Sequence, residues 1–231
     1  MTASDGEPRL DLGPVRRILV VKLSSLGDIV HATPCLRALR GRFPEAEIVV
    51  AIERRFADVL RKSRYADTLV EAEARPAGIV RGYLEGRGAL ARLKPFDLAI
   101  DLQGLGRSAG WVYASRARVA AGRGRIRPGW RVASTPPLDR HAVEVSASVL
   151  GDLGIPVGSL RPEISTSAAA ERALAERLAS LGVETAGYLV VNPFSRWPSK
   201  AWPIERWAEL IPWLAAAAGT VLLSGGPDEE A

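Results

Sequence analysis

The sequence predicts an α/β protein built on a doubly wound parallel sheet, and three observations carry that expectation. Five short runs, "RRILVVKL" (16–23), "AEIVVAI" (46–52), "FDLAIDL" (96–102), "GYLVVNP" (187–193) and "GTVLLSGG" (219–226), are apolar without alternation. Such runs suit strands buried on both faces. Amphipathic stretches with helical spacing lie between them, several stopped by glycine, as helices are. The strands' carboxyl ends lead into "SSLGD", "DLQGLGRS", "NPFSRWPSK" and "SGGPDEE", which are rich in small, hydroxyl and charged residues. Ligands of open α/β sheets bind beyond that edge, so these four loops are the first place to look for a site.

Taken in order, the first strand (16–23) is followed by "TPCLRALRGRFP", where Thr33 is the expected N-cap and Pro34 the first helical residue. Strands at 46–52 and 96–102 complete the recognisable part of the first sheet. "DRHAVEVSASVLGDLG" reads as a helix ending at Gly154. Residues 155–167, "IPVGSLRPEISTS", read as a linker by their prolines, glycine and serines. Beyond it come a helix from 168, a strand, a second helix over "PIERWAELIPWLAAAAG", a last strand and an acid-rich helical first turn in "GGPDEEA". The expected division is a tail (1–16), a first domain (17–154), the linker (155–167) and the start of a second domain (168–231), whose two strands make a poor sheet alone.

Composition narrows the chemistry. One cysteine, Cys35, excludes an intrachain disulfide framework, and two histidines, His31 and His141, are too few for a convincing metal centre. No metal and no cofactor are expected. Cys35 reads as core and His31 as a loop or helix-face residue. The start, "MTASDGEPRLDLG", has no apolar stretch of a secretory signal. The segment 210–226 is broken by Pro212 and Gly219 and falls short of the ~20 apolar residues of a membrane span. A cytoplasmic protein is expected. Its net charge of +5 favours anionic partners. Segment 107–140 holds eight arginines against one acid, Asp139, which suits a phosphorylated head group or an anionic inner-membrane surface, or is simply solvated arginine surface. No aromatic-interleaved basic motif points to nucleic acid. Trp202 and Trp207 read as packing residues more readily than as sugar platforms. "GLGRSAG" (104–110) follows a strand but lacks the third glycine of a dinucleotide fingerprint, so a dinucleotide oxidoreductase is the weakest reading.

Together, "VVKLSSLGDIVHATPCLRAL", "DLAIDLQGLGRSA", "NPFSRWPSKAWPIERWAEL" and "LLSGGPDEE" resemble glycosyltransferase family 9, the ADP-heptose:lipopolysaccharide heptosyltransferases. The likeness runs from residue 17 to the end and rests on K-x-S-S-x-G-D, D-x-Q-G and K-x-W-P-x-x-x-W in the family's order. It implies two Rossmann-like domains facing a cleft, the GT-B arrangement, with the second incomplete in this chain because the family's later donor loop would lie past Ala231. It also implies inverting, metal-independent transfer of heptose from ADP-heptose to a lipopolysaccharide inner-core sugar, on the cytoplasmic face of the inner membrane. Matched to the family's motifs, Asp28 takes the catalytic-base position. Ser25, Ser195, Arg196, Lys200 and Glu229 fall toward the donor, and Ser24, Gln103 and Arg107 toward the acceptor. A base is what inversion requires, because one group must remove the acceptor hydroxyl's proton as it attacks. A lysine at the departing diphosphate would meet the charge that develops there. The alternatives are a non-catalytic remnant that binds nucleotide or glycolipid, or a transferase for another nucleotide sugar.

Overall fold

The computed structural model describes residues 11–74, 78–93, 95–124, 128–135, 139–183, 187–195 and 198–226. The chain divides into two compact units, Met1–Ser165 and Thr166–Ala231.

The first unit is a six-stranded, wholly parallel sheet: β1 (Arg17–Val21), β2 (Glu47–Glu53), β3 (Thr68–Ala72), β4 (Leu98–Asp101), β5 (Val119–Arg123) and β6 (Val132–Ser134). Its order is β3-β2-β1-β4-β5-β6. The chain winds outward from β1 in one direction and from β4 in the other, so the switch point lies between these two strands. Alternate residues of each strand feed opposite faces. Ile18, Val20, Ile48, Val50, Leu98 and Ile100 pack in one cluster with Ile29, Leu36 and Leu39 of α1 (Leu26–Arg42) and Val149 and Leu150 of α4 (Ala142–Asp152). Leu19, Val21, Val49, Ala51 and Ala99 pack in the other with Trp111 and Val112 of α3 (Gly106–Ser115). The helix α2 (Ile79–Ala89) lies against α3. The segment 11–16 contributes to this unit, since Leu12 is buried in the first cluster. Ile155 is buried as well, and Glu163 receives hydrogen bonds from the Tyr65 hydroxyl (2.9 Å) and from Arg37 (3.4 Å).

Several elements depart from the expectation. The first helix begins at Leu26 rather than after Thr33, so Thr33 and Pro34 lie inside it and are buried. Pro34 has no N–H to give to the Val30 carbonyl four residues back. The Thr33 hydroxyl donates to that carbonyl instead, at 2.8 Å, and itself accepts from the Glu163 amide at 2.9 Å. The strands β3, β5 and β6 and the helices α2 and α3 were not anticipated. "GLGRSAG" opens α3, and its glycine at 110 serves helix packing: a Cβ there would lie 2.3 Å from the Ile79 carbonyl oxygen on α2. On α2, Gly82 has the reciprocal role, with the Arg107 carbonyl 2.1 Å from where a Cβ would stand.

The second unit has α5 (Ala168–Ser180), β7 (Tyr188–Val191), a short 3-10 turn (Pro198–Lys200), α6 (Ile204–Ala218) and β8 (Thr220–Leu223). β7 and β8 pair in parallel. Trp202 and Trp207 meet edge to face with ring centroids 5.0 Å apart, as packing residues do.

Candidate active site

The loops after β1 and β4 meet at the switch point and are stitched together. In register, Val21 stands beside Asp101. One residue on, Lys22 points into the protein, is buried, and donates from Nζ to the Leu102 carbonyl at 3.3 Å. The Ser24 amide donates to Gln103 Oε1 at 3.2 Å, linking two of the expected acceptor residues directly. Asp101 is completely buried and holds the second loop in shape: Oδ1 accepts from the Gln103 and Gly104 amides, both at 2.9 Å, and Oδ2 from the Ser108 hydroxyl at 2.9 Å.

Asp28 stands in the first turn of α1, whose N-cap is Ser25. Its Oδ2 accepts from the Ser25 hydroxyl at 2.8 Å and the Ser25 amide at 3.2 Å. Among the described residues Oδ1 accepts nothing. The carboxylate is thus anchored by one oxygen and presents the other, and the capping and catalytic readings are compatible. Burial pushes the Asp28 pKa up. The Ser25 hydroxyl and the Lys22 charge outweigh that and hold it below the usual carboxylate value. Burial dominates at Lys22 and lowers its pKa, against the opposing pull of Asp28 and Asp101. One turn beyond Asp28, His31 packs edge to face on His141, the N-cap of α4, with centroids 4.9 Å apart. Its Nδ1 is buried and has no hydrogen-bond partner among the described residues.

Arg107 does not join this group. Its side chain is 6% exposed and is held by Glu53 (Nη1 to Oε1, 2.9 Å) and by both carboxylate oxygens of Glu85 (2.9 and 2.7 Å). The guanidinium, held by two carboxylates, ties β2, α2 and α3 together. The arginine-rich segment is similarly divided. Arg118 donates to the Leu12 and Pro14 carbonyls, Arg116 is exposed, and Arg125 and Arg127 lie outside the described residues.

The expected donor residues belong to the second unit, apart from Ser25. Ser195 lies in the loop after β7 and is half-buried, and Lys200 is exposed at the end of the 3-10 turn. That loop is tied toward the one after β8, through Asn192 Nδ2 donating to the Ser224 hydroxyl at 3.4 Å. Arg196 and Glu229 lie outside the described residues.

Residues 89–231 match the profile of glycosyltransferase family 9 (heptosyltransferase). The chain belongs to this family. Lipopolysaccharide heptosyltransferase 1 of Escherichia coli strain K12 is 27% identical over 93% of the chain and 70% of its own length. Lipopolysaccharide heptosyltransferase 1 of Pseudomonas aeruginosa is 29% identical over 93% of the chain and 62% of its own length. Among solved structures, the family 9 glycosyltransferase from Veillonella parvula matches with a TM-score of 0.82 at 23% identity, over 93% of the chain and 64% of that structure, which establishes the fold. E. coli heptosyltransferase WaaC with ADP-2-deoxy-2-fluoro heptose matches with a TM-score of 0.64 at 25% identity, over 93% of the chain and 70% of that structure. The chain therefore spans roughly two thirds of the length of these family 9 relatives.

Sequence reasoning missed Lys22, Asp101 and Ser108 within the site. The signal for Lys22 was present: a lysine ends an otherwise apolar strand in a chain with four lysines among 31 basic residues.

Proposed function

We propose that this chain acts as a heptosyltransferase, transferring heptose from ADP-heptose to an inner-core sugar of lipopolysaccharide with inversion and without a metal. The observation that carries the reading is the carboxylate of Asp28, anchored through Oδ2 and open at Oδ1, at the switch point of a doubly wound sheet. In the proposed step the acceptor hydroxyl oxygen bonds to the anomeric carbon as the bond from that carbon to the diphosphate oxygen breaks. ADP leaves with the electron pair and Asp28 takes the hydroxyl proton. One displacement at one carbon inverts it. Asp28 is a weak base, so orientation supplies much of its effect. Ser24 and Gln103 are assigned to the acceptor. Ser25, Ser195, Arg196, Lys200 and Glu229 are assigned to the donor, with Lys200 facing the leaving diphosphate. The acceptor assignment omits Arg107, whose guanidinium is engaged by Glu53 and Glu85. Among the described residues no helix is long and apolar enough to cross a membrane, and the reading makes the chain a peripheral protein at the cytoplasmic face of the inner membrane.

The first test is melting of the 231-residue chain with ADP-heptose, UDP-N-acetylglucosamine and NADH. A rise with ADP-heptose alone supports the reading, because a ligand selective for the folded state stabilises it. A rise with UDP-N-acetylglucosamine moves the donor to another nucleotide sugar, and a rise with NADH overturns the reading. Asp28→Asn then separates transfer from binding. Turnover falls by about 100-fold or more with the ADP-heptose shift retained if Asp28 is the base. Unchanged turnover reduces it to a capping acid. Lys200→Ala lowers turnover, and a chelator leaves the wild type unaffected. Because the chain spans only part of its relatives' length, binding without turnover in the wild type would favour the remnant reading.

A further inference from the structure

The layer formed by α2 and α3 carries an apolar face that no described residue of the first unit covers. Val80 is 67% exposed, Leu84 59%, Leu105 52% and Ile79 39%. Val80 and Leu84 stand one turn apart, and Arg87 continues the same stripe of α2. Beside them Ile79, Val80, Tyr83, Tyr113 and Pro128 line a shallow groove between the two helices.

The acids around this face are ion-paired within the chain, and arginines beside it are exposed. α2 and α3 hold a single acid between them, Glu85, and it is ion-paired to Arg107. Glu71 and Glu73, which share a pocket with Arg81 and Leu84, are ion-paired to Arg54, and Glu71 also to Arg61. Arg81, Arg87 and Arg116 are exposed. Arg87 and Arg116 line one hollow at the far ends of the two helices. Exposed aliphatic side chains framed by arginines, with the neighbouring acids already neutralised, are complementary to lipid head groups of negative charge. Arginine stems can lie along the apolar surface while the guanidinium groups reach phosphate. A protein partner is less well served, since the carboxylates beside the face, Glu71, Glu73 and Glu85, are each ion-paired within the chain.

We propose that this face docks the chain on an anionic bilayer surface. The placement has a purpose that rests on the transferase reading. The first residues of α2 and α3 meet, with the Ile79 amide 3.5 Å from where a Cβ of Gly106 would stand, at the sheet edge that carries Asp28. α1 starts from the same strand-end edge on the opposite face of the sheet, so docking through α2 and α3 leaves that edge open to a sugar anchored in the membrane. The site is separate from Asp28, and of the arginine-rich segment 107–140 it takes in Arg116, whereas Arg107 and Arg118 are engaged within the fold.

The test is co-sedimentation of the whole chain with vesicles of phosphatidylcholine alone and of phosphatidylcholine with an equal part of phosphatidylglycerol. Binding to the anionic vesicles at least tenfold tighter than to the neutral ones is expected, weakening with salt. Val80→Ser with Leu84→Ser, at exposed positions, should weaken it at least fivefold with an unchanged melting temperature, and so should Arg87→Ala with Arg116→Ala. Arg172→Ala with Arg177→Ala removes the same charge from α5 and should alter it less than twofold. Equal binding to both vesicles, no binding, or equal loss from the α2–α3 and α5 arginine pairs overturns the proposal. The melting shift with ADP-heptose is read on lipid-free samples of the same proteins. Its loss bears on the transferase reading and its retention without vesicle binding sinks docking alone.

Discussion

At Asp28 the two carboxylate oxygens have different tasks, and the ionisation of the group follows from its neighbours. Its folded pKa lies below the ordinary value, so it adds stability above the unfolded pKa of about 3.9, and that contribution is lost as pH falls through the folded value. The acid limb of turnover assigned to Asp28 is therefore expected below about pH 4, and a limb centred near neutrality would assign the base elsewhere. Lys22 has the opposite sign. Burial lowers its pKa, so its charge costs stability at neutral pH, and the cost is relieved as pH rises toward the unfolded value of about 10.4. Lys22→Met is expected to keep or raise the melting temperature, since apolar replacement of a buried charge is often neutral or stabilising. The same variant should move the acid limb of turnover upward by removing a cation from beside Asp28. A limb that stays in place would show that Lys22 does not set the carboxylate's charge. That Asp28, Ser24, Ser25 and Gln103 gather at one sheet edge was legible because they sit in short polar segments directly after apolar strands. The ion pairs of Arg107 were not legible for a physical reason: its partners, Glu53 and Glu85, are 54 and 22 residues away, and no local pattern announces such pairs.

The helices α2 and α3 form the least legible part of the first unit and a tightly specified one. The sequence of α2, IVRGYLEGRGA, has three glycines, which lower helix propensity and hide the element from periodicity. Two of them, Gly82 and Gly86, are buried at the α3 contact, where close approach requires the absence of a side chain. Gly110→Ala should destabilise the chain by about 2–3 kcal/mol in a denaturant titration, because its Cβ would meet backbone that cannot yield without separating the helices. A loss under about 0.5 kcal/mol would mean that the two helices move apart freely. The strands β3 and β5 escaped notice for a related cause. TLVEA and VAAGR contain too few branched or aromatic residues to look like strands, and pairing on the sheet decides them. By contrast β1, β2 and β4 carry the unbroken apolar runs ILVV, IVVAI and LAI, bury both faces and were visible from sequence. The start of α1 was placed one motif too late because a Thr-Pro pair usually opens a helix, whereas here the Thr33 hydroxyl replaces the hydrogen bond that Pro34 cannot make.

The whole molecule distributes its burial unevenly between the two units. The first has two extensive clusters of buried side chains, one on each face of its sheet. In the second, Leu178 and Val191 are the buried hydrophobic residues among those described, while Val190, Leu223 and Trp213 are 60%, 58% and 67% exposed. Amide hydrogens of β1, β2 and β4 should accordingly exchange far more slowly than those of β7 and β8, because opening that exposes little apolar surface is cheap. Equal protection in both units would contradict that order and show that they open together. The α/β architecture was readable from alternating strands and helices, whereas strand order came only from pairings between distant segments. That order also bears on synthesis. Every strand of the six-stranded sheet precedes residue 135, its covering helix α4 ends at Asp152, and the Glu163 contacts with Thr33 and Tyr65 are the last ties. A ribosome that is still adding α5 and the β7–β8 pair has already delivered every part of that core. The first unit can close while the rest of the chain is being translated, so its parallel strands need not wait, unpaired and prone to aggregation, for the residues that follow.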